Sequence, residues 1–121
     1  MKTLFALAAV LFPLLTITAH AQNTQAPLPR CYELHFSKGD MGNDYYTNVC
    51  DQPIGISLIF PRGGLFAFEL APGKTDGTGH SEKDYNTMGQ PSVFVCPLGL
   101  RPVDGSGHYV TLHTALYNCK R

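Results

Sequence analysis

Four cysteines constrain the fold of this chain more than any other feature of its sequence. Cys31, Cys50, Cys96 and Cys119 all follow an apolar N-terminus, and no Cys-x-x-Cys pair occurs. An even number of cysteines in a short exported chain is typical of disulfide bonds, whereas a compact metal site would need closer spacing. We therefore expect two disulfides that staple a small domain. Three pairings are open, and we prefer Cys31–Cys50 with Cys96–Cys119, because each bond would then join neighbouring strands.

The N-terminus has the pattern of a secretory signal peptide. Lys2 precedes an apolar run from Leu4 to Ile17, and Ala19-His20-Ala21 supplies the small residues that a signal peptidase recognises. The run is shorter than the roughly 20 residues that a membrane-spanning helix needs. The sequence therefore predicts that Met1 to Ala21 is cleaved, that the mature protein is secreted or periplasmic, and that it has no membrane span.

The charge of the chain argues against a nucleic-acid partner. Nine Lys and Arg residues balance nine Asp and Glu residues, and loss of Lys2 with the signal peptide leaves a net charge near −1. No basic run is present, and binding to nucleic acid or to an anionic membrane by bulk electrostatics needs one. We therefore expect neither partner.

After the signal peptide, the pattern is that of one β domain. Residues 22–30 are polar with two prolines and predict an extended lead-in, while residues 31–121 alternate apolar and polar residues between turn signals. We expect an all-β domain of about six or seven strands, either a small disulfide-stapled β-sandwich or a half-open barrel. No segment has helical periodicity, so no helix is expected. The predicted strands cover residues 31–36, 45–50, 54–60, 65–70, 92–97 and 108–119.

The motifs with catalytic or ligand-binding associations are weak. Gly73-Lys74-Thr75 matches the end of a phosphate-binding loop, but Phe68 stands where that motif requires glycine. His80, Ser81 and Asp84 are the residue types of a catalytic triad, yet such groups normally converge from distant parts of a chain. The acidic loop from Asp40 to Asp44 lacks the spacing of an EF-hand. We therefore expect no cofactor and no metal site.

Two surfaces are candidates for binding. The segment 71–91 is long, polar and nearly free of aliphatic residues, and we expect it to expose His80 and Tyr85 as recognition residues. The second candidate is the face of the last predicted strand that carries Tyr109, His113 and Tyr117, which we expect to adjoin Glu33 and His35. An ordinary solvated sheet face, or the second face of a sandwich core, is the alternative for these residues.

These observations favour non-enzymatic recognition of a protein or a cell-envelope polymer, as an inhibitor or a secreted interaction factor. A small extracellular hydrolase that uses His and acidic residues is the alternative, and a structural envelope component is a third hypothesis. Convergence of histidine and carboxylate groups in one cleft would favour the hydrolase. An exposed aromatic patch without such a cleft would favour recognition.

Overall fold

The computed structural model describes residues 24–38 and 42–121, so the predicted signal peptide lies outside the described residues. Within these two ranges the chain forms nine strands and one short helix. In chain order they are β1 (Thr24–Gln25), β2 (Tyr32–Phe36), β3 (Asp44–Asn48), β4 (Ile54–Phe60), β5 (Gly64–Leu70), β6 (Thr75–Asp76), α1 (Glu82–Met88), β7 (Ser92–Pro97), β8 (Arg101–Val103) and β9 (Asn118–Lys120).

The strands form three small antiparallel sheets. The central sheet has the order β5-β4-β7, a second sheet has the order β2-β3-β6, and a third has the order β1-β9-β8. All three are open, and none closes into a barrel within the described part of the chain. The predicted β class is therefore confirmed, with one short helix in addition.

The central sheet arises from the most regular alternation in the sequence. Strand β4 buries Ile54, Ile56, Leu58 and Phe60 on one face, which we call the inner face. Strand β5 joins it through a tight turn, and Gly64 closes that turn with a φ of +90°, a conformation that favours glycine. The inner face packs against Tyr46 of the second sheet in one hydrophobic core.

Both predicted disulfides are present, in the preferred pairing. Cys31 bonds Cys50 and so links the start of β2 to the loop after β3. Cys96 bonds Cys119 and so holds the third sheet against the opposite, outer face of the central sheet. The Cys96–Cys119 bond is buried at both ends, whereas Cys50 is only half-buried.

Helix α1 was not expected from the sequence, so the prediction of an irregular segment is wrong there. The helix begins with a capping box: the Ser81 hydroxyl accepts a hydrogen bond from the Asp84 N–H at 3.1 Å, and the Asp84 carboxylate accepts from the Ser81 N–H at 3.0 Å. The backbone bond from Ser81 lowers the pKa of Asp84 from its ordinary value. Because Tyr85 is the only buried residue of the helix, no apolar periodicity marks it in the sequence.

The predicted strand 108–119 is also wrong. Only an isolated bridge between Val103 and Tyr109 and the short strand β9 are regular within it. The backbone between them turns, with the Thr111 N–H donating to the Thr114 hydroxyl at 2.9 Å. Conversely, β8 lies in a segment that was expected to be a loop, and β1 lies in the predicted lead-in. No helix in residues 24–38 and 42–121 is long and apolar enough to cross a membrane.

Candidate functional site

An open cleft lies between the outer face of the central sheet and strand β8. Its volume is about 480 Å³. Gly55 of β4 and Ala67 of β5 give it depth, because neither residue carries a side chain large enough to fill the space above the sheet. The wall and rim carry the polar groups of the cleft, which belong to Ser57, Glu69, Arg101 and Tyr109.

Tyr109 lines this cleft together with a second aromatic residue, Phe68. Its hydroxyl group shares a hydrogen bond of 2.9 Å with the hydroxyl of Ser57 on β4, and its backbone bridges Val103 of β8. The side chain is nevertheless 40% exposed. A ring that is anchored at its polar end and open to solvent offers contact area with little loss of side-chain entropy on binding.

Charges of both signs line the same cleft. Glu69 of β5 and Arg101 of β8 are both exposed, and neither forms an ion pair with a residue that the structure describes. The cleft therefore offers an acceptor, a planar donor of several hydrogen bonds and an aromatic ring within one surface.

A second cluster of polar groups is buried around Asp44, on the inner side of the molecule. The Asp44 side chain is only 1% exposed. Its carboxylate accepts hydrogen bonds from the Thr78 N–H at 2.9 Å, the Thr78 hydroxyl at 2.6 Å, the Gly79 N–H at 3.0 Å and the Tyr85 hydroxyl at 2.5 Å. Four donors satisfy the buried carboxylate, as a charge removed from water requires.

Two tyrosines extend this cluster. Because the Tyr85 hydroxyl gives its hydrogen to Asp44, the 2.7 Å bond between Tyr46 and Tyr85 has Tyr46 as the donor. Burial raises the pKa of Tyr46 to about 12 and raises the pKa of Tyr85 well above its ordinary value. Both phenols therefore stay protonated near neutral pH and act as neutral donors.

His80 is attached to the cluster through Thr78. Since the Thr78 hydroxyl donates to Asp44, it accepts from His80, so the hydrogen of the imidazole lies on Nδ1, which is 2.8 Å away. The ring of His80 lies against Phe66, with ring centroids 5.4 Å apart. In the neutral imidazole this tautomer has its lone pair on Nε2.

The Asp44 cluster also holds the chain segment before the helix against β3. The Asp44 N–H donates to the His80 carbonyl at 2.8 Å. A Cβ atom on Gly77 would lie 2.1 Å from the Asp44 carbonyl oxygen, so only glycine fits there. Asp44 had been considered as part of an acidic loop, but its carboxylate is occupied by protein donors. Asp40 of that loop lies outside the described residues.

The structure separates the residues predicted for recognition. Tyr85 is 1% exposed, so its expected exposure is wrong: the side chain is part of the core. His80 is half-buried against Phe66. Tyr109 lies in the cleft, while His113 is exposed in the turn region. Whether any of these residues contacts a ligand stays a prediction.

The joint polar-aromatic face expected for the last strand does not form. Tyr117 accepts a hydrogen bond from the Val95 N–H at 2.9 Å and packs edge-on against Phe94, with ring centroids 5.0 Å apart. It therefore covers the free edge of β7. Glu33 and His35 lie on β2 in the second sheet, where they contact each other at 3.4 Å.

Sequence reasoning did not single out Ser57 and Arg101, and it weighed Asp44 only as part of an acidic loop. The small residues Gly55 and Ala67, which lie on one face of a predicted hairpin, could have indicated a cleft on that face. Nothing in the local sequence indicates that Asp44 is buried. Across the ranges that the structure describes, no group of three or more His, Cys, Asp or Glu side chains could hold a metal ion.

Comparison of the chain with models of known protein families, with curated proteins and with solved structures found no match.

Proposed function

We propose that this chain is a small exported β-sandwich protein that binds a protein or a cell-envelope polymer without catalysis, and that the cleft around Tyr109 is its binding site. The observation that carries the proposal is the anchored, 40% exposed Tyr109 ring beside an acid and an arginine. Tyrosine and arginine are enriched among the few interface residues that carry most of the binding energy.

The geometry of the cleft supports a binding role in a second way. Strands β4, β5 and β8 form most of the cleft, and the third sheet is tied to the central one by the buried Cys96–Cys119 bond. The walls of the cleft therefore keep their positions when a ligand binds, and such a preorganised site loses less conformational entropy on binding. Export, which the two disulfides support, would place this site in an oxidising compartment.

The test is capture of the natural partner by the mature chain, from the envelope or medium of the source cells. Arg101→Glu reverses a charge at an exposed position, and Tyr109→Phe keeps the ring while removing its anchor on Ser57. We expect at least a tenfold loss of affinity with Arg101→Glu and a smaller loss with Tyr109→Phe. Leu116→Glu is the matched control, because Leu116 is 87% exposed outside the cleft.

Partner affinities that are unchanged by both cleft variants would reject this site. Retention by the Leu116→Glu control together with loss by the cleft variants would support it. Mass spectrometry of the captured material and digestion with glycosidases or proteases would separate a protein partner from a polymer.

One observation favours the alternative function, a small hydrolase. A chain of hydrogen bonds from His80 through Thr78 to Asp44 orients the imidazole through Nδ1, which is the arrangement that a general base acting through Nε2 would need. If this array is catalytic, His80→Gln abolishes any hydrolytic activity of the mature protein towards ester, peptide or glycan substrates, while Arg101→Glu leaves that activity intact. A wild-type protein that hydrolyses none of these substrates argues for the binding role.

A further inference from the structure

Strand β5 is an edge strand with an unusually open side. It is the outermost strand of the central sheet, and its seven residues, Gly64–Leu70, pair with β4 in one continuous register. Leu65 is 56% exposed, and Ala67 and Glu69 are exposed as well. The strand thus presents a seven-residue, largely apolar border.

The hydrogen-bond pattern shows which backbone groups lie on that border. The Val95 carbonyl accepts from the Leu28 N–H at 2.9 Å and the Val95 N–H donates to Tyr117, so the backbone of Val95 is turned away from β4. Val95 pairs with Ile56 of β4, so this is a non-hydrogen-bonded pair, and the N–H and C=O groups of Ile56 point towards Phe68 of β5. Hydrogen-bonded and non-hydrogen-bonded pairs alternate along antiparallel strands. The N–H and C=O groups that face outwards are those of Leu65, Ala67 and Glu69.

These outward groups have no partner among the residues that the structure describes. No hydrogen bond outside the β4–β5 ladder reaches them within residues 24–38 and 42–121. The opposite edge of the same sheet is different, because Leu28 and Tyr117 cover the border of β7. Among the described residues, one edge of the central sheet is thus covered by the chain itself and the other is not.

The open edge lacks the usual protection against pairing. Exposed edge strands normally carry a proline, a lysine or a bulge that prevents a second strand from adding. Strand β5 has none of these, and Glu69 is its only charged residue. An edge of this kind is a template to which another strand can add.

We infer that two copies of this chain pair through β5, antiparallel about a two-fold axis at Ala67, and join their central sheets into one six-stranded sheet. In this register all seven residues of each strand have a partner, and Ala67 lies opposite Ala67 of the second copy. Phe66 lies opposite Phe68 on the inner face, and Leu65 lies opposite Glu69 on the outer face.

Charge supports this register over its neighbours. A shift that brings the two Glu69 residues opposite each other would place like charges side by side and shorten the paired region, which destabilises the pair. In the register centred on Ala67, the two Glu69 side chains are separated by four residues along the strand, about 13 Å. The outward N–H and C=O groups of Leu65, Ala67 and Glu69 then all meet outward backbone groups of the second copy.

A single strand pair is smaller than a standard protein interface, so the dimer is expected to be weak and concentration-dependent.

The experiment is sedimentation equilibrium of the mature chain, from micromolar to millimolar concentration, with a charge-exchange pair of variants. Leu65→Glu places two acids opposite the two Glu69 residues, and we expect it to weaken the dimer at least tenfold. Leu65→Glu combined with Glu69→Lys places two opposite-charge pairs at the same contacts, and we expect it to restore dimerisation. Leu116→Glu introduces the same charge at another exposed leucine and is the control. Because Leu65 is already exposed, far-UV circular dichroism should show that all variants fold.

Restoration of the dimer by the double variant, with an unaffected control, would support both the edge and the register. A wild-type protein that is monomeric throughout this range would overturn the inference, as would a Leu65→Glu variant that dimerises normally. A double variant that stays monomeric would refute the register. If hydrogen exchange at Leu65, Ala67 and Glu69 slows only when an extended peptide of another protein is added, the occupant is that peptide and the dimer is rejected.

Discussion

Removing one oxygen atom from the core tests whether the Asp44 cluster stabilises the protein as its geometry implies. In the Tyr85→Phe variant, the Asp44 carboxylate loses the donor at 2.5 Å, and the buried Tyr46 hydroxyl loses its acceptor at 2.7 Å. A hydrogen bond to a charged group contributes about 1.5–3 kcal/mol, and a buried polar group left without a partner costs about 1–3 kcal/mol. Since the two effects overlap, we expect a loss of about 3 kcal/mol in the free energy of unfolding.

Tyr46→Phe should cost less, about 1 kcal/mol, because Tyr85 keeps its bond to Asp44. In the double variant no buried hydroxyl is left without a partner, so the loss should be about 2 kcal/mol. Tyr46→Phe is therefore expected to rescue part of the effect of Tyr85→Phe. This reversal of sign distinguishes the hydrogen-bond chain from two independent packing contributions.

The assay is urea unfolding followed by far-UV circular dichroism, since the chain contains no tryptophan. For a domain of this size, a loss of about 3 kcal/mol also lowers the melting temperature by roughly 12 °C or more. Tyr45→Phe is the matched control, because Tyr45 is the neighbouring residue on β3 but is exposed. A Tyr85→Phe variant within 0.5 kcal/mol of wild type, or a double variant with the sum of the single losses, would refute this account.

Four further outcomes follow from the structure and the sequence. Cys96→Ser should lower the free energy of unfolding in urea by about 3 kcal/mol. The buried Cys96–Cys119 bond should also react with reductant more slowly than the Cys31–Cys50 bond, and equal reduction rates measured by mass spectrometry would contradict this. Ser81→Ala removes the helix cap and should cost about 1 kcal/mol in the same unfolding assay, so an unchanged midpoint would count against the capping box. Burial raises the pKa of Tyr46 to about 12, so the folded state holds this proton more tightly than the unfolded state does. The contribution of this proton to the free energy of unfolding is complete below about pH 10 and is lost as the pH rises to about 12. A free energy of unfolding that does not fall between these pH values, measured by rapid alkaline unfolding, would argue against it. Mass spectrometry of the exported protein should find Gln22 at the N-terminus, and recovery of the intact chain from the medium or periplasm would reject the signal peptide.

The local elements of the fold could be predicted because each depends on neighbouring residues. The β4–β5 hairpin follows from alternation on both sides of a short glycine-containing turn, and β4 has the predicted bounds, residues 54–60. The disulfides follow from the number of cysteines and from exclusion of a compact metal motif. The helix was missed because its sequence signal is only the capping box of Ser81 and Asp84, and because Tyr85 is its one buried side chain.

The candidate site depends on contacts that no local pattern records. Tyr109 and Ser57, which share a hydrogen bond, are 52 residues apart in the chain, and Asp44 and Tyr85 are 41 residues apart. Alternation predicts that Ser57 lies on the outer face of β4. It does not predict which segment covers that face. The region 108–119 alternates in sequence like a strand, yet most of its backbone forms turns. Its position on the central sheet is set by two side-chain contacts: the Tyr109 hydroxyl bonds Ser57 of β4, and the Tyr117 hydroxyl bonds the backbone of β7.

The sequence by itself therefore determined the β class, the hairpin and the presence of two disulfides, since propensity, alternation and turn chemistry act over a few residues. Only the tertiary structure decided that Tyr85 is a core residue, that Asp44 is buried among four donors, and that no strand among the described residues pairs with the outer edge of β5. These features are set by which distant segments pack together. Which distant segments pack together depends on the shape and polarity of whole sheet faces, and these faces exist only once the sheets have assembled.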